Sequence, residues 1–327
     1  MGHPEVARST ADAQVAAVLS AMAYLGAGQA PEQQLRLISD LLANVGLPTR
    51  KAWQVVWGPA ELGGDLVYIA AGPDQEHAVV VRGTIVDNVF DLIQDSEIGV
   101  QVPLPFPAPG FPEARISRGA SAAWRNLSSM RARVGSSSGS TMLQFLERVP
   151  AGSRVLVTGH SLGGQMAGVV AAWLDSALPA GKMALTPITF AAPTAGDHEF
   201  ASHFDVVFDE GTRYYSDLDV VPLLWTREGL DHIRDLYVGG PRCLAGCRLA
   251  VDAAQERIQG LVYEHPSNPV QLVSQLYRTN GVGQFEREAL DQHRPLIYMY
   301  LLGIPTEAVQ LIDPRWQPPA SGAAGHG

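Results

Sequence analysis

Residues 155–170 read VLVTGHSLGGQMAGVV. The first of these form an apolar, β-branched run that suits a buried strand. From Leu162 onward the pattern suits a helix that is apolar on most of its circumference. Between the two stand Gly159, Gly163 and Gly164. Glycine costs backbone entropy wherever it sits, so this clustering needs a local reason. Gly159-His160-Ser161-Leu162-Gly163 fits G-x-S-x-G, a sharp strand-to-helix turn with a strained serine at its apex. Side chains two positions before and after that serine would collide, which accounts for Gly159 and Gly163. A phosphate-binding turn or plain close packing would use the same glycines. The strand before and the long helix after favour Ser161 as a nucleophile, with the helix N-terminus adding partial positive charge near a reacting carbonyl.

The rest of the chain supplies the frame. GDLVYIAAGPDQEHAVVVRGT (64–84) reads as two strands joined by a Gly-Pro-Asp turn. ALTPITFAAP (184–193) and TRYYSDLDVVP (212–222) each read as a strand ending in a loop. GSSSGS (135–140) reads as a flexible joint ahead of the helix-like TMLQFLERV. Strands alternating with helices predict an α/β fold, with a mostly parallel central sheet and helices on both faces. GVQVPLPFPAPGFP (99–112) is an unusually apolar, Pro-rich connection. VAAVLSAMAYLGAGQA (15–30) has the apolar character of a signal-peptide core. The flank before it is not basic, and the stretch is short of the ~20 residues of a membrane span, so an N-terminal helical pair with residues 31–46 is expected. Residues 1–315 are expected to form one domain and 316–327 a disordered tail. No compartment is assigned.

The 327 residues are 46% hydrophobic and 17% charged, ample for a sizeable core. A net charge of −10 argues against nucleic acid and against charge-driven adsorption to anionic membranes. Cys243 and Cys247 are spaced C-x3-C. Two free thiols rank just ahead of a small-loop disulfide, and metal ranks last because no further ligand stands nearby.

A serine nucleophile needs a base, and the base needs an orienting acid. Asp217 and Asp219 both follow the strand-like TRYYS, and His232, His265 and His293 lie beyond them. The residues alone leave these choices open. Here the sequence resembles the class 3 (fungal-type) lipase family of the α/β-hydrolase fold, over roughly residues 60–305. The resemblance is carried by VVVRGT (79–84), TGHSLGGQMA (158–167), ITFAAPTAGD (188–197) and SDLDVVPLL (216–224), in order and at the expected spacing. It implies Asp219 as the acid and Asp217 as a loop residue. His293, ahead of an apolar helix, is then the base, His232 matches a non-catalytic histidine of the family, and His160 shapes the elbow. Chain order Ser, acid, His agrees. Leu162 N–H follows from the elbow as one oxyanion donor; the resemblance implies Thr84 as the other.

The resemblance also implies a lid after Thr84. Ile85, Val86, Val89, Phe90 and Ile93 fall at helical spacing with Asp87, Asp91 and Asp95 opposite, a pattern a buried core helix would share. Two departures stand out. Phe90 takes the place of the family's usual tryptophan, and Ser117-Arg118-Gly119-Ala120 replaces its His-x-Gly-Phe. The function implied is hydrolysis of carboxylic esters, triacylglycerol first, with no metal or organic cofactor and no obligate protein partner. Phospholipase A1 and feruloyl or short-chain carboxylesterase activities are the alternatives. From another class stands a non-catalytic lipase-like binding protein, which filled triad positions disfavour without the fold excluding it.

Overall fold

The computed structural model describes residues 4–85, 89, 92, 97–278 and 283–319. The chain opens with α1 (Pro4–Met22) and α2 (Pro31–Leu42). α1 begins well before the apolar window and stops short of its end; Gly26 and Gly28, both at positive φ, turn the chain toward α2. Strands follow as β1 (Gln54–Leu62), β2 (Asp65–Ala71), β3 (His77–Arg82), β4 (Gln101–Pro103), β5 (Arg115–Ser117), β6 (Ser153–His160), β7 (Met183–Phe190), β8 (Thr212–Ser216) and β9 (Pro269–Leu272). Seven of them form one sheet in the order β1-β2-β3-β6-β7-β8-β9, and β4 and β5 pair as a separate ribbon. β1 to β3 run antiparallel, and β3 onward is parallel. This is the mostly parallel α/β-hydrolase sheet expected from the sequence.

The helices after α2 are α3 (Arg118–Ser129), α4 (Met142–Leu146), α5 (Leu162–Ala177), α6 (His198–Val207), α7 (Arg227–Ile233), α8 (Ala245–Arg257), α9 (Phe285–His293), α10 (Pro295–Leu301) and α11 (Thr306–Val309). The pleat divides the core between the two faces. Val79, Val81, Val155 and Val157 pack with Leu127 of α3 and Met166 and Val170 of α5. Ala78, Val80 and Leu156 point the other way, against Leu19 of α1 and Ile297 of α10. Strands covered on both faces need apolar residues at every position, which is why VVV and VLV read as continuous runs rather than alternations. Each such valine contributes about 1.5–3 kcal/mol by burial.

A third cluster lies outside this sandwich. Val89, Leu92, Trp225, Leu230, Ile233, Cys247, Val251 and Phe285 pack together, joining α7, α8 and α9 to the segment after β3. Cys243 and Cys247 form a disulfide here, with Cα atoms 5.3 Å apart, so the free-thiol reading is corrected. The backbone turn into α8 brings the two side chains within reach, which spacing alone did not reveal.

Other departures have equally local causes. β1 and β9 went unread because Pro59 interrupts the one and the other is a short, exposed edge. GSSSGS is no loose joint: Ser137 Oγ donates to Val56 O at 2.7 Å, and the Ala132 amide donates to Ser140 O at 3.0 Å. Phe106 of the Pro-rich connection packs on Trp124, with ring centroids 5.8 Å apart, so that apolar loop covers the core. Trp316, counted with the tail, is buried against Tyr300. Residues 320–327 lie outside the described residues. No described helix is long and apolar enough to cross a membrane.

Candidate active site

Parallel pairing sets Val81 of β3 beside Gly159 of β6, so the segments leading to Thr84 and Ser161 leave the sheet at the same edge. The carboxyl edge of parallel strands is where α/β folds place their ligands. Ser161 has φ +62° and ψ −135°, a conformation costly for any residue with a side chain. A Cβ on Gly159 would lie 2.3 Å from Gly163 O, and one on Gly163 would lie 2.4 Å from Val81 O. Those distances forbid side chains at both positions. The Ser161 amide donates to Phe190 O at 3.0 Å, tying the apex to β7.

Ser161, His293 and Asp219 come together although 132 residues separate the first two and 74 the last two. Ser161 Oγ lies 2.8 Å from His293 Nε2. His293 Nδ1 lies 2.9 Å from Asp219 Oδ2 and 3.1 Å from Oδ1. A carboxylate only accepts, so Nδ1 carries the proton and Nε2 is the acceptor for the serine hydroxyl. Asp219 also accepts from the Val221 amide at 2.9 Å and from Tyr298 Oη at 2.8 Å. Ser161, Asp219 and His293 are 2%, 1% and 5% exposed, so these bonds form in a dry setting where they are strongest.

Tyr298 is a site residue that the sequence reading passed over as part of an apolar helix. Its hydroxyl accepts the Ser216 amide at 3.0 Å while donating to Asp219, which links β8 to the acid. Burial first, and the Asp219 charge second, push its pKa well above the phenol range, keeping it a donor. A buried tyrosine needs a partner for its hydroxyl, and that rule was the available signal.

The other candidates of the sequence lie elsewhere. Asp217 Oδ1 accepts the Ser274 amide at 2.8 Å. His265 Nε2 donates to Pro222 O at 2.8 Å, and burial, with Arg213 beside it, holds its pKa down to about 3. His232 is exposed on α7. Ser117 caps α3 by accepting the Ala120 amide at 3.0 Å.

Thr84 and Leu162 flank the serine, and both line a cavity of about 250 Å³. Its lining includes the apolar Leu92, Ile98, Met166 and Trp225. Trp225 is buried at φ +79°, a strained setting for so large a residue. Asp65 and Asn126 are among its polar lining residues, and partial burial raises the Asp65 pKa above the usual carboxylate range. A second cavity, also about 250 Å³, shares Thr84 with the first and is lined by His293, His160 and Arg294. Of the segment after Thr84, Ile85 is exposed, while Val89 and Leu92 are buried in the third cluster. Val86, Asp87, Phe90, Asp91, Ile93 and Asp95 lie outside the described residues. Among the described residues no group of three His, Cys, Asp or Glu side chains is placed to hold a metal ion.

Residues 78–228 match the family model described as lipase (class 3). No curated protein matches the chain. A crystal structure of M37 lipase shares the fold at a TM-score of 0.80 and 23% identity, covering 92% of this chain and 94% of that one. A Rhizomucor miehei lipase propeptide complex reaches a TM-score of 0.45 at 18% identity, covering 69% and 65% of the two chains. A triacylglycerol lipase from Penicillium expansum reaches 0.48 at 17% identity, covering 82% and 80%.

Proposed function

Taking residues 78–228 as class 3 lipase sequence, we propose that the chain hydrolyses carboxylic esters, triacylglycerol among them, through an acyl-enzyme on Ser161. The observation that carries the reading is the buried chain of hydrogen bonds from Ser161 through His293 to Asp219.

In this reading Ser161 Oγ attacks the ester carbonyl carbon while its proton passes to His293 Nε2. The carbonyl oxygen becomes an oxyanion held by the backbone N–H groups of Thr84 and Leu162. Asp219 keeps Nδ1 protonated and stabilises the imidazolium that forms. Collapse of the intermediate expels the alcohol, which takes the proton from Nε2. Water then attacks the acyl-enzyme, losing a proton to the same nitrogen, and Ser161 leaves with it.

Because His293 must protonate the leaving oxygen, the cavity beside His293 and Arg294 takes the alcohol. The cavity between Leu162, Met166 and Trp225 takes the acyl group. At about 250 Å³ it lies below the ~300–1,000 Å³ of sites that hold drug-sized ligands. That size, with the polar Asp65 and Asn126 in its lining, favours short acyl groups and supports a second reading as a short-chain carboxylesterase.

A fluorophosphonate probe should label the native protein and leave Ser161→Ala unlabelled. A chain-length series of p-nitrophenyl esters beside emulsified triglyceride then separates the two readings. Turnover of the emulsion supports the lipase, and a rate maximum at short chains without it supports the esterase. Equal labelling of Ser161→Ala would overturn both.

A further inference from the structure

Tyr24 lies just past the end of α1 and outside the segment that matches the family. Its hydroxyl nevertheless sits between the two walls of the active site. The phenol oxygen is 3.1 Å from His160 Nδ1 and 3.2 Å from His160 O. Gly83 abuts it as well, since a Cβ on Gly83 would lie 2.6 Å from that oxygen. Gly83 precedes Thr84, and His160 precedes Ser161, so one hydroxyl touches both segments that carry the proposed oxyanion donors.

The protons can be assigned. The His160 carbonyl can only accept, so the phenol O–H donates there. The contact with the ring is satisfied when His160 Nδ1–H donates to the phenol oxygen. His160 Nε2 is buried and has no hydrogen-bond partner. Burial, and His293 beside it, hold the His160 pKa well below the usual range, so the ring is neutral. That ring meets Tyr24 edge-on at 5.8 Å, Tyr298 edge-on at 5.7 Å, and the His293 ring at 4.7 Å, tilted by 40°.

We propose that Tyr24 is a positioning residue: its hydroxyl sets the spacing between the Thr84 strand end and the Ser161 elbow, and it holds His160 as the neutral seat of the His293 ring. The proposal rests on the reading of Ser161, His293, Thr84 and Leu162 given above. Donors placed for an oxyanion act on the transition state and contribute little to substrate binding. Loss of the hydroxyl should therefore fall on kcat rather than on KM.

The test is Tyr24→Phe, which keeps the ring and removes one oxygen. Fluorophosphonate titration run to its endpoint counts assembled nucleophiles, and kcat is expressed per titrated site. The expected result is a fall in kcat of roughly 10- to 100-fold, less than the ~10²–10³ of deleting a whole donor. KM should stay within about threefold and Tm should change little. An unchanged kcat per site overturns the proposal, as does a rise in KM alone. So does a loss of activity that only tracks the titratable fraction, since that is what a purely structural role gives. Ser161→Ala is the control: if it retains activity, the nucleophile assignment fails. If it is inactive while Tyr24→Phe matches wild type, the Tyr24 proposal alone fails.

Discussion

Asp219→Asn perturbs the site at the point where three donors converge. Oδ1 receives the Val221 amide, and Oδ2 receives both Tyr298 Oη and His293 Nδ1. An asparagine has one oxygen for these donors and brings an N–H₂ group of its own. The Val221 amide cannot turn, so the new oxygen stays at Oδ1 and the N–H₂ takes the place of Oδ2. Two of the facing groups must then change. His293 can accept there only as the other tautomer, with its proton on Nε2, 2.8 Å from Ser161 Oγ. In that state it cannot take the serine proton. A triad with the wrong tautomer loses about 10⁴-fold in kcat, or about 5.4 kcal/mol at ~1.36 kcal/mol per decade. The assay is kcat for a soluble p-nitrophenyl ester per titrated site, with a melting curve to separate folding from chemistry. A loss smaller than about tenfold in a folded variant would show that Asp219 does not set the His293 tautomer, and the mechanism above would fall with it.

Thr84→Pro, which deletes a backbone donor, should cost about 10²–10³-fold in kcat, whereas Thr84→Ser should be mild; an active, folded Thr84→Pro would remove Thr84 from the oxyanion site. Reducing the Cys243–Cys247 bond should lower stability by up to about 2 kcal/mol, since so short a loop restricts the unfolded chain only modestly. A loss of Tm on reduction that Cys243→Ala/Cys247→Ala does not reproduce would assign the effect to the reductant. Acid should destabilise the fold. Unfolded histidines protonate near pH ~6.5, while folded His265 does so only at about 3 and folded His160 lies well below the usual range. The unfolded state therefore binds more protons through that window, so Tm should hold above pH ~7 and fall steadily toward pH ~4. A flat profile would contradict the burial of these two rings.

The elbow was legible because its demands are local and steric. Gly159 and Gly163 can only be glycine where the structure puts them, and the flanking apolar runs fix what precedes and follows. That Asp219 and His293 would meet Ser161 was expected only through the resemblance, since chain order and spacing left Asp217, His232 and His265 open. Tyr298 and Tyr24 stayed hidden for a different reason. Each sits in an apolar stretch where a tyrosine reads as packing, and its function depends on which distant backbone group its hydroxyl meets. The spacing left the disulfide as a close second to free thiols, because C-x3-C becomes a bond only when the turn into α8 brings the sulfurs together. Pairing across the sheet and docking between distant helices are long-range outcomes that local patterns do not encode.

His293 ends α9, and Tyr298 lies in α10 immediately after it. α10 shares its cluster with α1, and Gln14 Nε2 of α1 donates to Leu302 O at 2.9 Å. The base and the tyrosine that braces the acid therefore arrive together, when the C-terminal helices dock on the N-terminal one. A chain that has formed its sheet and elbow but not this docking holds a serine with no base. Under the proposed mechanism, catalytic competence waits on this long-range docking, which is slow to form because so much chain must be ordered first. On refolding, ester hydrolysis should return after the far-ultraviolet circular dichroism signal has recovered. Partly folded forms, with their apolar surfaces still open, would carry an unarmed nucleophile.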